Sequence, residues 1–197
     1  MVSSIVKKVI ENLNNKVELS EVEKEKISYS LTAIFNDLSK LLILLIIFSF
    51  LGLFYNFLMI SIFSIALRVT IGGFHFRKYW SCLLFTFAYY LIIISINKFI
   101  LNDMILIIIY IVAAFCIIWL APMTSLERAA IRKTSIGTYK FIAFMILSLY
   151  FLIYIIKKDS ISQLSLLTSI AQSIQLLIMK GVNIYETYNK NIITKHL

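Results

Sequence analysis

Met104-Ile-Leu-Ile-Ile-Ile-Tyr-Ile-Val-Ala-Ala-Phe-Cys-Ile-Ile-Trp-Leu-Ala121 runs for 18 residues without a charge. As a helix it reaches about 27 Å, close to the ~30 Å hydrocarbon thickness of a bilayer. Further apolar stretches lie at 40–54, 57–71, 80–97, 138–156 and 161–179. The first two are short, and the Gly52–Phe57 connection between them is tight. The last carries Gln163, Gln172 and Gln175, so it spans, lies flat or faces a cavity. An outer-membrane barrel shows alternating segments of ~10 residues, whereas these runs are continuous. Hydrophobic residues make up 60% of the 197, and mean hydropathy is +0.91. A soluble domain is typically about 45–50% apolar. One proline and five glycines leave few places where long helices must break. The chain reads as an all-α integral membrane protein with about six transmembrane helices.

Amphipathic helices precede the spans. Val2, Val6, Val9, Leu13 and Val17 share one helical face, while Lys7, Lys8, Glu11 and Lys16 lie elsewhere around it. This suits a helix resting on a membrane surface. Ser20 and Glu23 have capping-box spacing for a second helix with the stripe Ile27, Leu31, Ile34 and Leu38. Residues 1–37 contain no apolar core of the secretory-signal kind. The chain is therefore read as one domain over 1–197: amphipathic helices over 1–37, a bundle over 40–179 and a cytoplasmic tail over 180–197.

The formal charge is +9. A basic protein can bind nucleic acid, but no basic face here is separate from the membrane pattern. Six spans with the N-terminus inside place sixteen of the nineteen Lys and Arg on the inner side. Only Lys98, Lys157 and Lys158 fall outside. That asymmetry puts both termini in the cytoplasm, with basic loops meeting anionic lipid.

One inner segment stands apart: Arg68-Val-Thr-Ile-Gly-Gly-Phe-His-Phe-Arg-Lys-Tyr-Trp-Ser-Cys82. Ionisable groups at membrane depth are costly, which makes them functional candidates. Seven residues on a straight helix separate His75 from Cys82 by about 10.5 Å along the axis. A direct imidazole–thiol contact needs roughly 3 Å. If the pair reacts together, the helix must break between them, and Gly72-Gly73 supplies the backbone freedom. Ser81 or a polar neighbour then starts the next helix, with Cys82 in its first turn, where a thiolate is favoured. His75 takes the thiol proton and Cys82 attacks a peptide carbonyl. Backbone N–H groups around Gly72, Gly73 or Cys82 stabilise the oxyanion.

Spacing alone equally fits a loop histidine and a packed cysteine. A zinc site needs three or four protein ligands, and this segment offers two; no metal or cofactor is implied. Cys116 reads as a packing residue and His196 as part of a polar tail. After Ala121-Pro122 comes a loop with Arg128, Arg132 and Lys133, which either sets topology or docks an acidic peptide segment.

Taken in order, Arg68, Gly73-Phe74-His75, Cys82 at the start of a span, Ala121-Pro122 with its basic loop and the amphipathic N-terminus resemble the accessory gene regulator B family of Gram-positive quorum sensing. The resemblance covers nearly the whole chain, and its motifs are specific in combination. It implies a membrane cysteine endopeptidase that cleaves a D-type precursor peptide. It places the catalytic pair on His75 and Cys82, with Arg68 and Gly73 in support. Removal of the precursor's acidic tail would leave an acyl-thioester on Cys82. The precursor's own Cys or Ser would then displace Cys82 and close a thiolactone or lactone ring. A homodimer in the bacterial cytoplasmic membrane is also implied. Asn36, Asp37 and Glu127 are the inner-side candidates for orienting His75. The residues themselves leave a peptide transporter and a non-catalytic scaffold as alternatives.

Overall fold

Ser20 opens helix α1 (Glu21–Phe50) as the spacing predicts. Its hydroxyl accepts the Glu23 N–H at 3.4 Å and the Glu23 carboxylate accepts the Ser20 N–H at 3.0 Å. The computed structural model describes residues 20–72, 78–99, 102–122 and 136–195, together with Val6 and Val9. Val6 and Val9 are helical, and the rest of the 1–17 stripe lies outside the described residues. The chain divides into two compact units, Met1–Phe54 and Tyr55–Leu197.

In the first unit the structure joins what the sequence reading separates. The amphipathic helix after Ser20 and the first apolar span form one helix of 30 residues, about 45 Å long. No Gly or Pro interrupts the junction, and Lys40 pairs with Asp37 one turn earlier at 3.0 Å. The helix ends at Phe50 rather than 54. Gly52 adopts φ +68°, its N–H reaches the Ser49 carbonyl at 3.0 Å, and the Leu53 N–H reaches the Phe48 carbonyl at 2.9 Å. That is a Schellman stop, which the absence of a Cβ at Gly52 makes inexpensive.

The second unit contains α2 (Phe54–Ile71), α3 (Tyr79–Asn97), α4 (Asp103–Leu120), α5 (Ile136–Lys157) and α6 (Ser160–Lys195). No strand occurs among the described residues. All five helices contain a stretch long and apolar enough to cross a membrane. The described residues thus give five such helices against about six expected; the apolar half of α1 corresponds to the remaining segment. In α4 only 22% of the span is buried. Ile105, Ile108, Val112 and Phe115 point outward, the reverse of a water-soluble helix and the arrangement lipid requires.

The three alternatives for the last span resolve clearly. α6 is the central helix: 61% of its Ser160–Tyr185 stretch is buried, against 22–39% for the other four spans. It packs against α4, α5 and α3. The tail expected from 180 onward continues this helix to Lys195. Its inner face carries Ser162, Ser165, Thr168, Ser169 and Gln172, all buried. The serine and threonine hydroxyls return hydrogen bonds to carbonyls three or four residues back, such as Thr168 to Leu164 at 2.7 Å. Small self-satisfied side chains let neighbouring backbones approach closely.

Tyrosine hydroxyls tie the surrounding helices together. Tyr110 donates to the Leu147 carbonyl at 2.6 Å and Tyr150 to the Phe63 carbonyl at 2.9 Å. At the end of the bundle remote from Cys82, Asn97 donates to Ser160 at 2.7 Å and Tyr154 to Asp103 at 2.9 Å.

The turn into α6 is two residues long. Lys158 adopts φ +47° and closes α5, with its N–H on the Tyr154 carbonyl at 2.9 Å. Asp159 caps α6 by accepting the Ser162 N–H at 2.8 Å, while its own N–H donates to the Ser162 hydroxyl at 3.0 Å. The Ser162 amide, and then its hydroxyl, hold the Asp159 carboxyl below the usual carboxylate range. A depressed folded-state pKa stabilises above the unfolded value and is lost as pH falls through the folded one. Asp159→Ala is therefore expected to cost about 1 kcal/mol at neutral pH. Asp159→Asn, an equally good cap, should cost little there and flatten the acid limb of thermal stability measured in detergent.

Candidate functional site

The site begins where α2 stops. Gly72 takes φ +84°, in the left-handed region, while its N–H still reaches the Arg68 carbonyl at 3.0 Å. A side chain at that φ is strained, so glycine suits the stop. The chain becomes helical again at Tyr79, with Lys78 as N-cap. Helix α2 therefore ends by Gly72 and a separate helix begins at Tyr79, ahead of Cys82. Gly73 and His75 lie outside the described residues, as do Glu127, Arg128, Arg132 and Lys133.

The restart is earlier than Ser81. Cys82 is the fourth residue of α3, and its N–H donates to the Lys78 carbonyl at 3.2 Å. The Cys82 and Gly72 amides are both committed to helix bonds, so neither is an oxyanion donor in this geometry. The amides that precede the first helical bond are those of the first turn, including Trp80 and Ser81. A helical Cα–Cβ bond tilts towards the N-terminus, which places the Cys82 side chain over that turn. The thiol is free and the residue only 7% exposed. Thr86, one turn on, donates its hydroxyl to the Cys82 carbonyl at 2.8 Å. Cys116 is half-buried on α4, a packing position.

Arg68 lies in the last turn of α2 and donates from Nη2 to Gln175 Oε1 of α6 at 3.4 Å. Around this pair a narrow cleft is lined by Ser64 and Arg68 of α2, Phe85, Thr86, Tyr89 and Tyr90 of α3, and Gln172 and Gln175 of α6. Thr86 follows Cys82 by one helical turn, so the α3 wall of the cleft begins one turn beyond the cysteine, which does not itself line it. Gln172 and Gln175 mark the last span as unusual in the sequence, but nothing in the sequence pairs them with Arg68. Of the candidates for orienting His75, Asp37 holds Lys40 and the Asn36 carbonyl accepts the Ser39 hydroxyl at 2.9 Å. At the same end as Cys82, Lys180 of α6 sits over the Trp119 ring at 4.8 Å from its centroid.

These features define a helical membrane protein with several helices long and apolar enough to cross a bilayer, a buried cysteine in the first turn of one of them and a narrow cleft of mixed polar and aromatic lining between three. The family model described as Accessory gene regulator B matches residues 4–176, and the chain belongs to that family. A relative in Clostridium beijerinckii, named "Putative AgrB-like protein", is 27% identical over 181 residues, covering 90% of this chain and 89% of the relative. No solved structure matches. Membership associates the chain with accessory gene regulator quorum sensing and its peptide signal.

Proposed function

We propose that this protein is a cysteine endopeptidase that matures a D-type precursor of the accessory gene regulator system. One observation carries the reading: in a chain of this family, a buried free thiol occupies the first turn of α3, directly after a glycine-terminated helix. His75 accepts the Cys82 proton and the thiolate attacks the scissile carbonyl. The oxyanion is held by first-turn amides of α3, those of Trp80 and Ser81. Collapse breaks the C–N bond, His75 returns the proton to the leaving amine, and the acyl group remains as a thioester on Cys82. The precursor's own Cys or Ser then attacks this thioester, releasing Cys82 and closing the ring. A water-poor site favours closure over hydrolysis.

The asymmetry of basic residues supports a cytoplasmic active site, where a ribosomal product is delivered. Arg128, Arg132 and Lys133 dock the acidic tail. The enzyme works as a homodimer in the cytoplasmic membrane. The test is intact mass spectrometry of the protein in liposomes with the precursor encoded beside its gene. The expected result is a hydroxylamine-sensitive adduct with release of the tail. Precursor binding with neither adduct nor cleavage would move the assignment to a scaffold or transporter.

A further inference from the structure

The face shared by α2, α3 and α6 holds more hydrogen-bonding atoms than it pairs. Gln172 is 1% exposed, and neither atom of its amide has a partner among the described residues. Gln175 is 5% exposed; its Oε1 receives Arg68, but its Nε2 has no partner among the described residues. Among the described residues, Arg68 Nε and the hydroxyls of Tyr89 and Ser64 also have no partner. Unpaired buried polar groups destabilise a fold, and in lipid no surrounding water relieves them. The other polar residues on this face of α6 bond to their own helix, which explains them as packing groups. No such account covers the glutamines.

The open atoms specify a guest. Donors dominate: Arg68 Nε, the two glutamine NH₂ groups and the Tyr89 hydroxyl. One strong acceptor, Gln172 Oε1, stands among them. A carboxylate offers acceptors only and leaves that oxygen unpaired. A peptide group offers a C=O and an N–H together and satisfies both kinds. The cleft is closed tightly around these atoms, and Cys82 does not line it. Its α3 wall begins at Phe85 and Thr86, one turn along from Cys82, so a peptide group entering it by parting the side chains would lie beside the cysteine.

We infer that the cleft of Arg68, Tyr89, Gln172 and Gln175 binds a backbone peptide group of the precursor's acyl segment, holding that segment in place beside Cys82. This rests on reading Cys82 as the residue that becomes acylated. Gln172 and Gln175 are substrate-binding residues in this assignment, with no part in proton transfer.

The test uses the full chain in lipid nanodiscs, with Gln172→Met and Gln175→Met each made alone and combined with Cys82→Ala. The probe is the precursor encoded beside the gene. Methionine keeps length and removes the unpaired amide, so the expected unfolding midpoint of Gln172→Met is equal to or above that of the parent. KM for the precursor should rise about ten-fold, and precursor binding to the Cys82→Ala form should weaken by a similar factor. The kcat should change less. A lower midpoint with unchanged KM in both variants makes the glutamines structural and overturns the inference; unchanged midpoint and KM overturn it as well. Competitive inhibition by sodium acetate that Gln172→Met relieves would overturn the peptide group in favour of a carboxylate. Should Cys82→Ala still release the tail, the enzymatic reading fails, yet binding to the paired Cys82→Ala forms still decides whether the cleft holds peptide.

Discussion

Cys82→Ala is expected to lower precursor cleavage by about ten-thousandfold or more and to remove the covalent adduct, with precursor binding retained. Loss of a covalent nucleophile has effects of that order in hydrolases because no neighbouring group replaces the bond it forms. The residue is buried in the first turn of α3 but contributes only a small side chain to packing, so alanine leaves a small cavity and an intact helix. Cys82→Ser sharpens the result. It keeps the shape, yet a serine hydroxyl is a much weaker nucleophile near neutral pH than a cysteine thiolate. Tail release should be lost there too. A serine variant with near-parental turnover would show that thiolate chemistry is not used. Single-turnover gel assays with a tail-labelled precursor read both outcomes.

His75→Ala should cost about a hundredfold to ten-thousandfold in kcat, the usual range for a general acid–base residue. Precursor affinity should be nearly unchanged. The pH profile gives the independent readout. Parent activity should rise as the thiolate–imidazolium pair forms and fall at higher pH, when the imidazole can no longer protonate the leaving amine. The alanine variant should lose the alkaline limb, and its residual rate should follow thiol ionisation alone. A parent profile flat from about pH 5 to 9 would remove His75 from both roles.

Much of the architecture was legible because its causes are local. The 104–121 run announces a span through length and missing charge, and helix α4 occupies 103–120. Ser20 and Glu23 announce a capping box, and the hydrogen bonds form. Gly72 announces a backbone stop, which its φ of +84° realises. The errors are informative about strength of signal. The amphipathic helices and the first span were set apart at 37–40, but the Asp37–Lys40 pair one turn apart supports a helix there, so α1 runs through. Ser81 or a polar neighbour was expected to open α3 with Cys82 in its first turn; Lys78 is that neighbour, and a start there commits the Cys82 amide. A one-turn displacement of that kind leaves hydropathy unchanged and moves the oxyanion donors.

The sequence by itself determined that this is a helical membrane protein and where its apolar segments run; Gly72-Gly73 offered a place for α2 to end, which the structure uses. Those properties depend on hydrophobic length, charge and backbone freedom within about twenty residues. Only the tertiary structure decided that the glutamine-bearing last helix is the centre of the bundle, and that Gln175 meets Arg68 across 107 positions of chain. A glutamine in an apolar run has a local cost but no local partner; its partner follows from how helices pack, which hydropathy does not encode.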